Sequence, residues 1–473
     1  MSTANTPQRL GAIDSQNLVY EADGGAIHRV PVRDDAVPDA QALLTLMERH
    51  NLAQLWVHRI YVASKRIEQW PLGTFWRVAE MTGWKLTPSA SGHWVYAYRS
   101  GTYGARQLSF PYLDKRAPWA DAHDASELLA ALLLYRDVLG VPFRRSPGST
   151  GTGLMRSLHS GARATELDTP DTPPPPAQSG TEVSWSWVRP LLPEELERRY
   201  VHGYDKNGMY LAACASLDLG VGAAAHLLEG AASDAYFLDR APGYYRVVGG
   251  DSRLSLLPNP LTIHRRPALE GGFWVTRPTL ELLYEVDTPL HIAEAWAWTQ
   301  RHQYLQPWYK RLRDGRKQLM SRGDDDTPAQ IALAALKNTY TQAIGWLDGS
   351  WDREKAVDGH AGILYRPDWR HAIIAQSNAN LYRRVHKWGQ SRDCDFHPFA
   401  WVTDCVYIAS NEANPELACP PDMTLGTGLG QFKVHDSVPM ARVRDALASE
   451  KPSLRGFFDA LAATRRTAER VTV

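Results

Sequence analysis

The sequence has no net charge of either sign and very little cysteine. Its 473 residues include 52 Lys and Arg against 52 Asp and Glu. The net charge therefore does not indicate a nucleic-acid partner, although a local stripe of basic residues would be enough to bind one. The four cysteines, Cys214, Cys394, Cys405 and Cys419, show neither CxxC spacing nor the density of a disulfide scaffold. We therefore expect a reducing compartment and no cysteine-based zinc site.

Long apolar runs are also missing. No stretch approaches the roughly 18 apolar residues that a membrane-spanning helix needs. Residues 1–18 lack the apolar centre of a secretory signal. We expect a cytoplasmic protein without a membrane partner. Tryptophan is plentiful, at 17 residues, and we interpret most of these as core and interface anchors rather than base-stacking platforms.

A chain of this length predicts more than one domain. The clearest boundary is the segment 166–185. It contains four consecutive prolines, Pro173–Pro176, which exclude a helix or a central strand and indicate an extended linker or a long surface loop.

The region before this boundary predicts an α/β domain. Strand-like runs occur at 55–62 and 93–98, and a helix rich in Ala and Leu is predicted over 125–139 with Asp124 as its cap. The glycines within 149–153 lack the Gly-Lys-Ser/Thr ending of a phosphate-binding loop. They predict a plain turn before a helix.

Two helices are predicted after residue 300. Over 305–319 the apolar face is formed by Leu305, Trp308, Leu312 and Leu319, and a basic stripe by Lys310, Arg313 and Lys317. The second helix begins at Thr327, where Thr327 and Gln330 fit a capping box, and runs through Lys337 toward Gly345. The pair predicts a helical hairpin. A further helix is predicted over 368–388.

Asp205 and Asp404 are the most informative residues. Asp205 follows a short extended segment and precedes a helix start. Asp404 lies between two β-prone runs and is expected at the tip of a hairpin. Two carboxylates on separate strands can hold a pair of divalent cations, which is the arrangement that phosphoryl transfer uses.

Together with their order in the chain, four segments resemble family B DNA polymerases, especially the protein-primed type of phages and linear plasmids. The family's first motif, Asp-x-x-Ser-Leu-Tyr-Pro, is similar to Asp205-Lys206-Asn207-Gly208-Met209-Tyr210-Leu211. Its second, Lys-x-x-x-Asn-Ser-x-Tyr-Gly, is matched at Lys337 and Gly345 only. Its third, Asp-Thr-Asp-Ser, is similar to Val402-Thr403-Asp404-Cys405, and Leu429-Gly430-Gln431-Phe432-Lys433 resembles a downstream element. The resemblance covers about half the chain, residues 200–436.

The resemblance implies an α/β (α+β) fold in which a polymerase palm with an antiparallel sheet and helical fingers follows an RNase H-like, exonuclease-like α/β domain. The implied segments are a degenerate exonuclease-like domain at 1–165, the proline-rich linker at 166–185, the first part of the palm at 186–300, the fingers at 301–347, the second part of the palm at 348–436, and a reduced thumb or helical tail at 437–473.

The resemblance also implies the site. Asp205 and Asp404 would bind two Mg²⁺ ions, or Mn²⁺ in their place, with the backbone carbonyl of Lys206 as a further ligand. The nucleotide-binding residues would be Lys337, Tyr210, Arg313, Lys317, Lys310 and Gly345. Lys433 would contact DNA. The implied partners are a DNA primer–template, dNTPs and a terminal protein primer.

The departures from the family pattern have consequences. Val402 replaces the first carboxylate of the third motif, and Asp404 keeps the essential second one. Gly208 and Ile344 alter the floor of the nucleotide pocket. In the N-terminal region, Glu21-Ala22-Asp23 has the order opposite to the Asp-x-Glu that proofreading needs. We expect an exonuclease-like domain that has lost catalysis.

The leading hypothesis is a template-directed DNA polymerase that acts without proofreading in the replication of a phage or linear replicon. A second hypothesis is a catalytically inactive relative that binds DNA ends or a replication partner, which the altered second motif favours. A third, a metal-dependent nuclease, would leave Lys337 and the helical hairpin without a purpose.

Overall fold

A computed structural model describes most of the chain, and it shows a mixed α/β fold with several sheets. The described residues are 9–32, 40–59, 83–88, 94–99, 106–111, 117–144, 146–159, 173–179, 181–250, 256–261, 263, 272–349, 365–389, 397–448, 451–459 and 461. The chain forms two compact units: residues 1–154 with 311–343, and residues 155–310 with 344–473.

The strands are β1 Leu10–Ile13, β2 Asn17–Glu21, β3 Ile27–Pro31, β4 Gln54–Val57, β5 Trp84–Pro88, β6 Trp94–Arg99, β7 Arg106–Ser109, β8 Ser186–Val188, β9 Tyr200–Lys206, β10 Leu219–Val221, β11 Ala225–Leu228, β12 Gly243–Gly249, β13 Phe273–Thr276, β14 Leu290–Ala297, β15 Gln300–His302, β16 Ala400–Val402, β17 Cys405–Ser410 and β18 Phe432–Pro439. The helices are α1 Ala40–Arg49, α2 Ala125–Leu139, α3 Pro147–Ser157, α4 Pro193–Leu196, α5 Met209–Ala213, α6 Glu229–Phe237, α7 Arg277–Glu285, α8 Gln306–Met320, α9 Thr327–Trp346, α10 Pro367–Gly389 and α11 Arg444–Leu447. Short 3₁₀ helices lie at Asp23–Gly25, Pro118–Asp121, Pro175–Gln178 and Met440–Arg442.

The first unit is built on a seven-stranded mixed sheet in the order β3-β2-β1-β4-β7-β6-β5. β4 is parallel to both β1 and β7, and the other pairs are antiparallel. The predicted strand at 55–62 is found as β4 as far as Val57, and residues 60–62 lie outside the described part. The predicted strand at 93–98 is found as β6, and residue 93 also lies outside it.

Helix α2 confirms the helix predicted over 125–139. Its caps and its packing against the sheet both favour a helix with these bounds. The Asp124 side chain accepts from the N–H of Glu127 at 2.8 Å, as the sequence predicted. Gly140 ends the helix with φ of 73°, a conformation that glycine adopts without a steric cost. The helix packs against β1 and β2.

The glycines at 149–153 do not form the predicted turn. They lie inside α3, which already begins at Pro147. A Cβ atom on Gly151 would lie 2.5 Å from the Cβ atom of Ala343. The glycine therefore permits a close helix approach within the first unit, which outweighs its low helix propensity.

Helices α8 and α9 confirm the two predicted helices. In α8 the predicted apolar face is buried and Lys310, Arg313 and Lys317 are exposed. The predicted capping box at Thr327 is replaced by another cap. The Asp326 carboxylate accepts from the N–H of Ala329 at 3.1 Å and pairs with Arg322 at 2.6 Å, and the Gln330 side chain donates to the carbonyl of Gly323.

The second unit contains a five-stranded antiparallel sheet in the order β18-β9-β17-β16-β8. One face packs with α10, in a core that includes Trp185, Tyr204, Tyr382 and Trp401. The other face packs with residues from the C-terminal segment, including Val443, Leu447, Phe457 and Leu461. The helix predicted over 368–388 is confirmed as α10.

Two smaller sheets complete this unit, a four-stranded one in the order β11-β14-β12-β13 and the pair β10-β15. Part of the predicted linker, residues 166–172 and 180, lies outside the described residues. In its described part Pro176 and Ala177 are buried, and Ala177 packs with Tyr244 and Trp298.

Several tryptophans serve as core anchors, as the sequence predicted. Those that are almost fully buried are Trp84, Trp119, Trp185, Trp308, Trp369 and Trp401. Within the described residues, no helix is long and apolar enough to cross a membrane.

Candidate functional site

The two aspartates singled out in the sequence lie side by side at one end of the five-stranded sheet. Asp205 is on the interior strand β9, where it pairs directly with Cys405 of β17. Asp404 immediately precedes Cys405, in the two-residue turn that joins β16 to β17. Antiparallel pairing of β9 with β17 therefore places the two carboxylates next to each other.

The turn that carries Asp404 is held by main-chain and side-chain contacts. Thr403 has a positive φ of 56°, which is rare for a β-branched residue. Its N–H donates to the carbonyl oxygen of Trp185 at 2.7 Å, and its own carbonyl oxygen accepts from Nε1 of Trp401 at 3.1 Å. The buried tryptophans thus maintain a backbone conformation that would otherwise be disfavoured.

The carboxyl group of Asp205 acts directly on that of Asp404. Burial, and after it the neighbouring negative charge of Asp205, raise the pKa of Asp404 from 3.8 to about 7. Two carboxyl groups placed together in a partly buried site disfavour the state in which both are ionised, and a cation between them would relieve that repulsion. This is the electrostatic condition that favours a bound cation.

Lys433 contacts the same pair. It lies opposite Asp205 on β18, and its Nζ is 2.9 Å from Oδ2 of Asp205. The Asp205 side chain is 16% exposed and that of Lys433 is 46% exposed. The residue predicted as a DNA contact is therefore an ion-pair partner of the first aspartate, and its contact with DNA stays a prediction.

Lys206 follows Asp205 and points to the opposite face of the sheet. The side chain is buried, and burial lowers the pKa of its ammonium group to about 8, with a further contribution from Arg384. Its backbone N–H donates to the carbonyl oxygen of Asp404 at 2.8 Å. The metal-ligand role assigned to its carbonyl oxygen stays a prediction.

Tyr210 lies five residues beyond Asp205, in the first turn of α5. Gly208 makes the change from strand to helix with a positive φ of 56°. The Tyr210 hydroxyl hydrogen-bonds to the hydroxyl of Ser184 at 2.5 Å. Burial raises the pKa of Tyr210, and the charge of Asp404 acts in the same direction, so the phenol stays neutral at physiological pH.

The remaining predicted site residues lie on α8 and α9. Lys337 is exposed on α9, and Arg313 and Lys317 are exposed on α8; all three belong to the first unit. Lys310 is exposed and donates to Gln306, and Gly345 lies near the end of α9; both belong to the second unit. The structure therefore brings together Asp205, Asp404, Lys206, Tyr210 and Lys433. Nucleotide binding by the helical residues stays a prediction.

The donor set of the pair suits magnesium. Mg²⁺ prefers hard oxygen ligands and is usually held by one or two carboxylates, with water and substrate phosphates completing its shell. Among the described residues, no group of three or more His, Cys, Asp or Glu side chains is arranged to hold a metal ion. Two carboxylates fit a cation whose remaining ligands are supplied by water and a nucleotide.

Sequence reasoning missed two acidic residues. Asp436 is buried and accepts from the hydroxyl of Tyr407 at 2.9 Å, close to Cys405. Asp14, at the end of β1, is buried and accepts from the N–H of Gln16, Asn17 and Ala125 at 2.8, 2.8 and 2.9 Å. Its carboxylate thus holds the start of α2. The sequence signal that could have identified Asp14 is an acidic residue directly after a strand-like apolar run.

Glu21 and Asp23, the acidic residues whose order in the sequence is the reverse of a proofreading motif, are both engaged in ion pairs. Glu21 pairs with Arg136, with Nη2 2.9 Å from Oε1, and Asp23 pairs with Arg9. Within the part of the chain that the structure describes, neither carboxylate belongs to a group of three or more potential metal ligands.

Comparisons with known proteins give structural matches only. No family model and no curated protein matches the sequence. A structure of Phi29 DNA polymerase with primer–template DNA and incoming nucleotide substrates matches with a TM-score of 0.53 and 10% identity, over 91% of this chain and 85% of that one. A complex of the same polymerase with primer–template DNA matches with a TM-score of 0.50 and 12% identity, over 91% of this chain and 85% of that one. The fold of this chain is therefore similar to that of Phi29 DNA polymerase.

Proposed function

We propose that the chain is a DNA polymerase-type nucleotidyltransferase that extends a DNA primer on a template, related to the protein-primed family B enzymes. The observation that carries this proposal is the placement of Asp205 and Asp404 side by side, one at the end of β9 and the other in the turn beside it. The similarity of the fold to a polymerase supports it, since both compared structures contain primer–template DNA and one of them also contains incoming nucleotide substrates.

The reaction needs acidic residues where the attacking and leaving oxygen atoms change their charge. The primer 3′-oxygen would bond to the α-phosphorus of a dNTP, the bond to the departing pyrophosphate would break, and the proton of the 3′-hydroxyl would pass to water. Mg²⁺ or Mn²⁺ held by Asp205 and Asp404 would stabilise the charge on these oxygens. The chain's own contribution is to hold the two carboxylates in fixed positions, through the pairing of β9 with β17 and the turn at Thr403.

Other residues of the site have roles that follow from their placement. The neutral Tyr210 phenol, anchored on Ser184, would lie beneath the sugar of the incoming nucleotide. We assign Lys337, Arg313, Lys317 and Lys310 to the triphosphate, because a lysine ammonium meets phosphate as a point charge and an arginine guanidinium as a planar donor. Gly345 is assigned to the nucleotide from the motif resemblance. A terminal protein remains the proposed primer.

The N-terminal unit is proposed to lack proofreading. Asp14-Ser15-Gln16 has an amide where an Asp-x-Glu motif has its second carboxylate. The Asp14 carboxylate already accepts three main-chain hydrogen bonds, and Glu21 and Asp23 are ion-paired. Two-metal hydrolysis needs several uncommitted carboxylates, and these residues do not supply them.

The test is incorporation of a labelled dNTP on a primed template and on a terminal-protein substrate, with Mg²⁺ and with Mn²⁺. The wild-type protein should extend the primer, and Asp404→Ala should lose extension. Asp422→Ala is a matched control, because Asp422 is an exposed aspartate that is ion-paired with Lys387 away from the pair. Extension that persists in Asp404→Ala would refute the assigned site.

A second candidate is a catalytically inactive relative that binds DNA ends or a replication partner. The ion pair of Lys433 with Asp205 favours it, since an aspartate engaged by an ammonium group is less available to a metal ion. This candidate predicts salt-sensitive DNA binding that survives Asp205→Ala without any incorporation by the wild-type protein. DNA binding that requires both dNTP and a divalent cation would count against it.

A further inference from the structure

Lys433 occupies an unusual position for a residue that would contact only DNA. Strand pairing places it directly opposite Asp205, and its Nζ is 2.9 Å from Oδ2 of that residue. Its positive charge also acts on Asp404, where it opposes the rise in pKa. One ammonium group therefore serves both members of the acidic pair.

We propose that Lys433 is a built-in counter-ion of the aspartate pair. Its ammonium group neutralises the pair in the metal-free protein and moves away when a divalent cation binds. This inference rests on the proposed function, because it takes Asp205 and Asp404 as the metal ligands. It adds that the affinity of the site for metal is set by a third residue, which is not a ligand.

The competition follows from charge and position. A cation held by Asp205 and Asp404 would lie within a few ångströms of an ammonium group on the same carboxylate, and like charges at about 4 Å repel strongly in a partly buried site. Two positive groups therefore do not share the pair without a loss of affinity.

Lys433 is the group that can move. Asp205 is on β9, an interior strand paired on both sides, and its short side chain is largely buried. The Lys433 ammonium ends a flexible four-carbon stem, and nearly half of its side chain is exposed. Rotation of this stem into solvent frees Oδ2 without any change in the strands. The released ammonium is then available for a phosphate group of the primer, which agrees with the DNA contact predicted from the sequence.

The chain offers a matched ion pair for comparison. Lys387 and Asp422 are 2.7 Å apart, with both side chains well exposed. Among the described residues, no second carboxylate is hydrogen-bonded to Asp422. Removal of the Lys387 charge should therefore leave metal binding at the Asp205–Asp404 pair unchanged.

The experiment is a Mn²⁺ titration of the full chain without DNA or dNTP, followed by the electron paramagnetic resonance signal of free Mn²⁺. Lys433→Met removes the charge and keeps the length of the side chain. It should bind Mn²⁺ about threefold to fivefold more tightly than the wild-type protein, from the usual strength of half-exposed ion pairs. Lys387→Met should bind as the wild-type protein does, and Lys433→Arg, which keeps the charge, should not gain affinity.

Asp404→Asn separates this inference from the proposed function. If the wild-type protein binds Mn²⁺, Asp404→Asn loses binding and Lys433→Met is equal to or weaker than the wild-type protein, the counter-ion role is overturned while the metal site stands. If neither the wild-type protein nor Lys433→Met binds Mn²⁺ more tightly than Asp404→Asn does, both proposals are overturned. A gain that is confined to Lys433→Met supports the inference.

Discussion

The main-chain N–H of Lys206 donates to the main-chain carbonyl oxygen of Asp404 at 2.8 Å. This bond links the end of β9 to the turn between β16 and β17. It joins the two backbone segments that present Asp205 and Asp404, independently of their side chains. The positions of the two aspartates are therefore set by the sheet, and either side chain can be changed without loss of the backbone arrangement.

Asp404→Asn should stabilise the metal-free protein at pH 8. The substitution removes one of two neighbouring negative charges, and the introduced amide can donate to Asp205 as a protonated carboxyl group does. We expect the Tm in the presence of a chelator to rise by a few degrees, measured by scanning calorimetry. Asp422→Asn, at an exposed ion pair, should change the Tm little. A Tm that falls in Asp404→Asn would contradict the like-charge geometry.

The stability gain of Asp404→Asn should depend on pH. Because the folded protein holds a proton on Asp404 up to about pH 7 and the unfolded chain releases it near 3.8, the folded state binds more protons between these values. The contribution of this group to the free energy of unfolding therefore falls as pH rises through that window and is constant above it. The difference in unfolding free energy between variant and wild type, from urea titrations, should be about 1–3 kcal/mol larger at pH 8 than at pH 5. A difference that is equal at both pH values would show that Asp404 is not perturbed.

The turn at Thr403 should accept glycine and reject proline. Thr403 has a φ of 56°, which glycine adopts freely, so Thr403→Gly should leave the Tm unchanged or slightly raised and should preserve primer extension. Thr403→Pro fixes φ near −65° and removes the N–H that donates to Trp185, so it should cost about 3 kcal/mol or more. Thermal melts of both variants test this, and an equal loss in the two would contradict the assigned backbone conformation.

The buried ion pair of Arg366 with Asp368 should matter more than an exposed pair of similar geometry. Arg366 is fully buried, with Nη2 2.6 Å from Oδ2 of Asp368 and its guanidinium over the Trp369 ring. Asp368→Ala would leave this charge buried without its partner and should lower the free energy of unfolding by about 3–5 kcal/mol. Glu285→Ala, which breaks an exposed pair with Arg383 at the same 2.6 Å, should cost less than about 1 kcal/mol. Urea titrations that give similar losses would contradict the assigned burial.

The sequence predicted those features that depend on local pattern. Helix α2 has its cap, Asp124, and its terminating Gly140 at its own ends, and the predicted bounds of both α2 and α10 agree with the structure to within a residue. Asp404 was expected at the tip of a hairpin because β-prone runs flank it on both sides, and it lies in the turn between β16 and β17. Both cases require only residues that are close together in the chain.

Features that depend on register between distant strands were not predictable from the sequence. The contact of Lys433 with Asp205 requires β18 to pair with β9 in one alignment, and a register shift between Val434 and Asp436 follows it. A slip of one residue would turn Lys433 to the other face. The sequence likewise predicts a turn at the glycines inside α3. The reason for glycine there is the close approach of Gly151 to Ala343, which is far along the chain.

The most direct test of the central claim is a double-mutant cycle on the acidic pair, measured as single-turnover incorporation of one dNTP with Mg²⁺. If Asp205 and Asp404 act as one unit, then Asp205→Asn, Asp404→Asn and the double variant should each lose about 10³-fold or more, and the double loss should be no greater than either single loss. Incorporation that persists in either single variant, or losses that multiply in the double variant, would contradict a shared site.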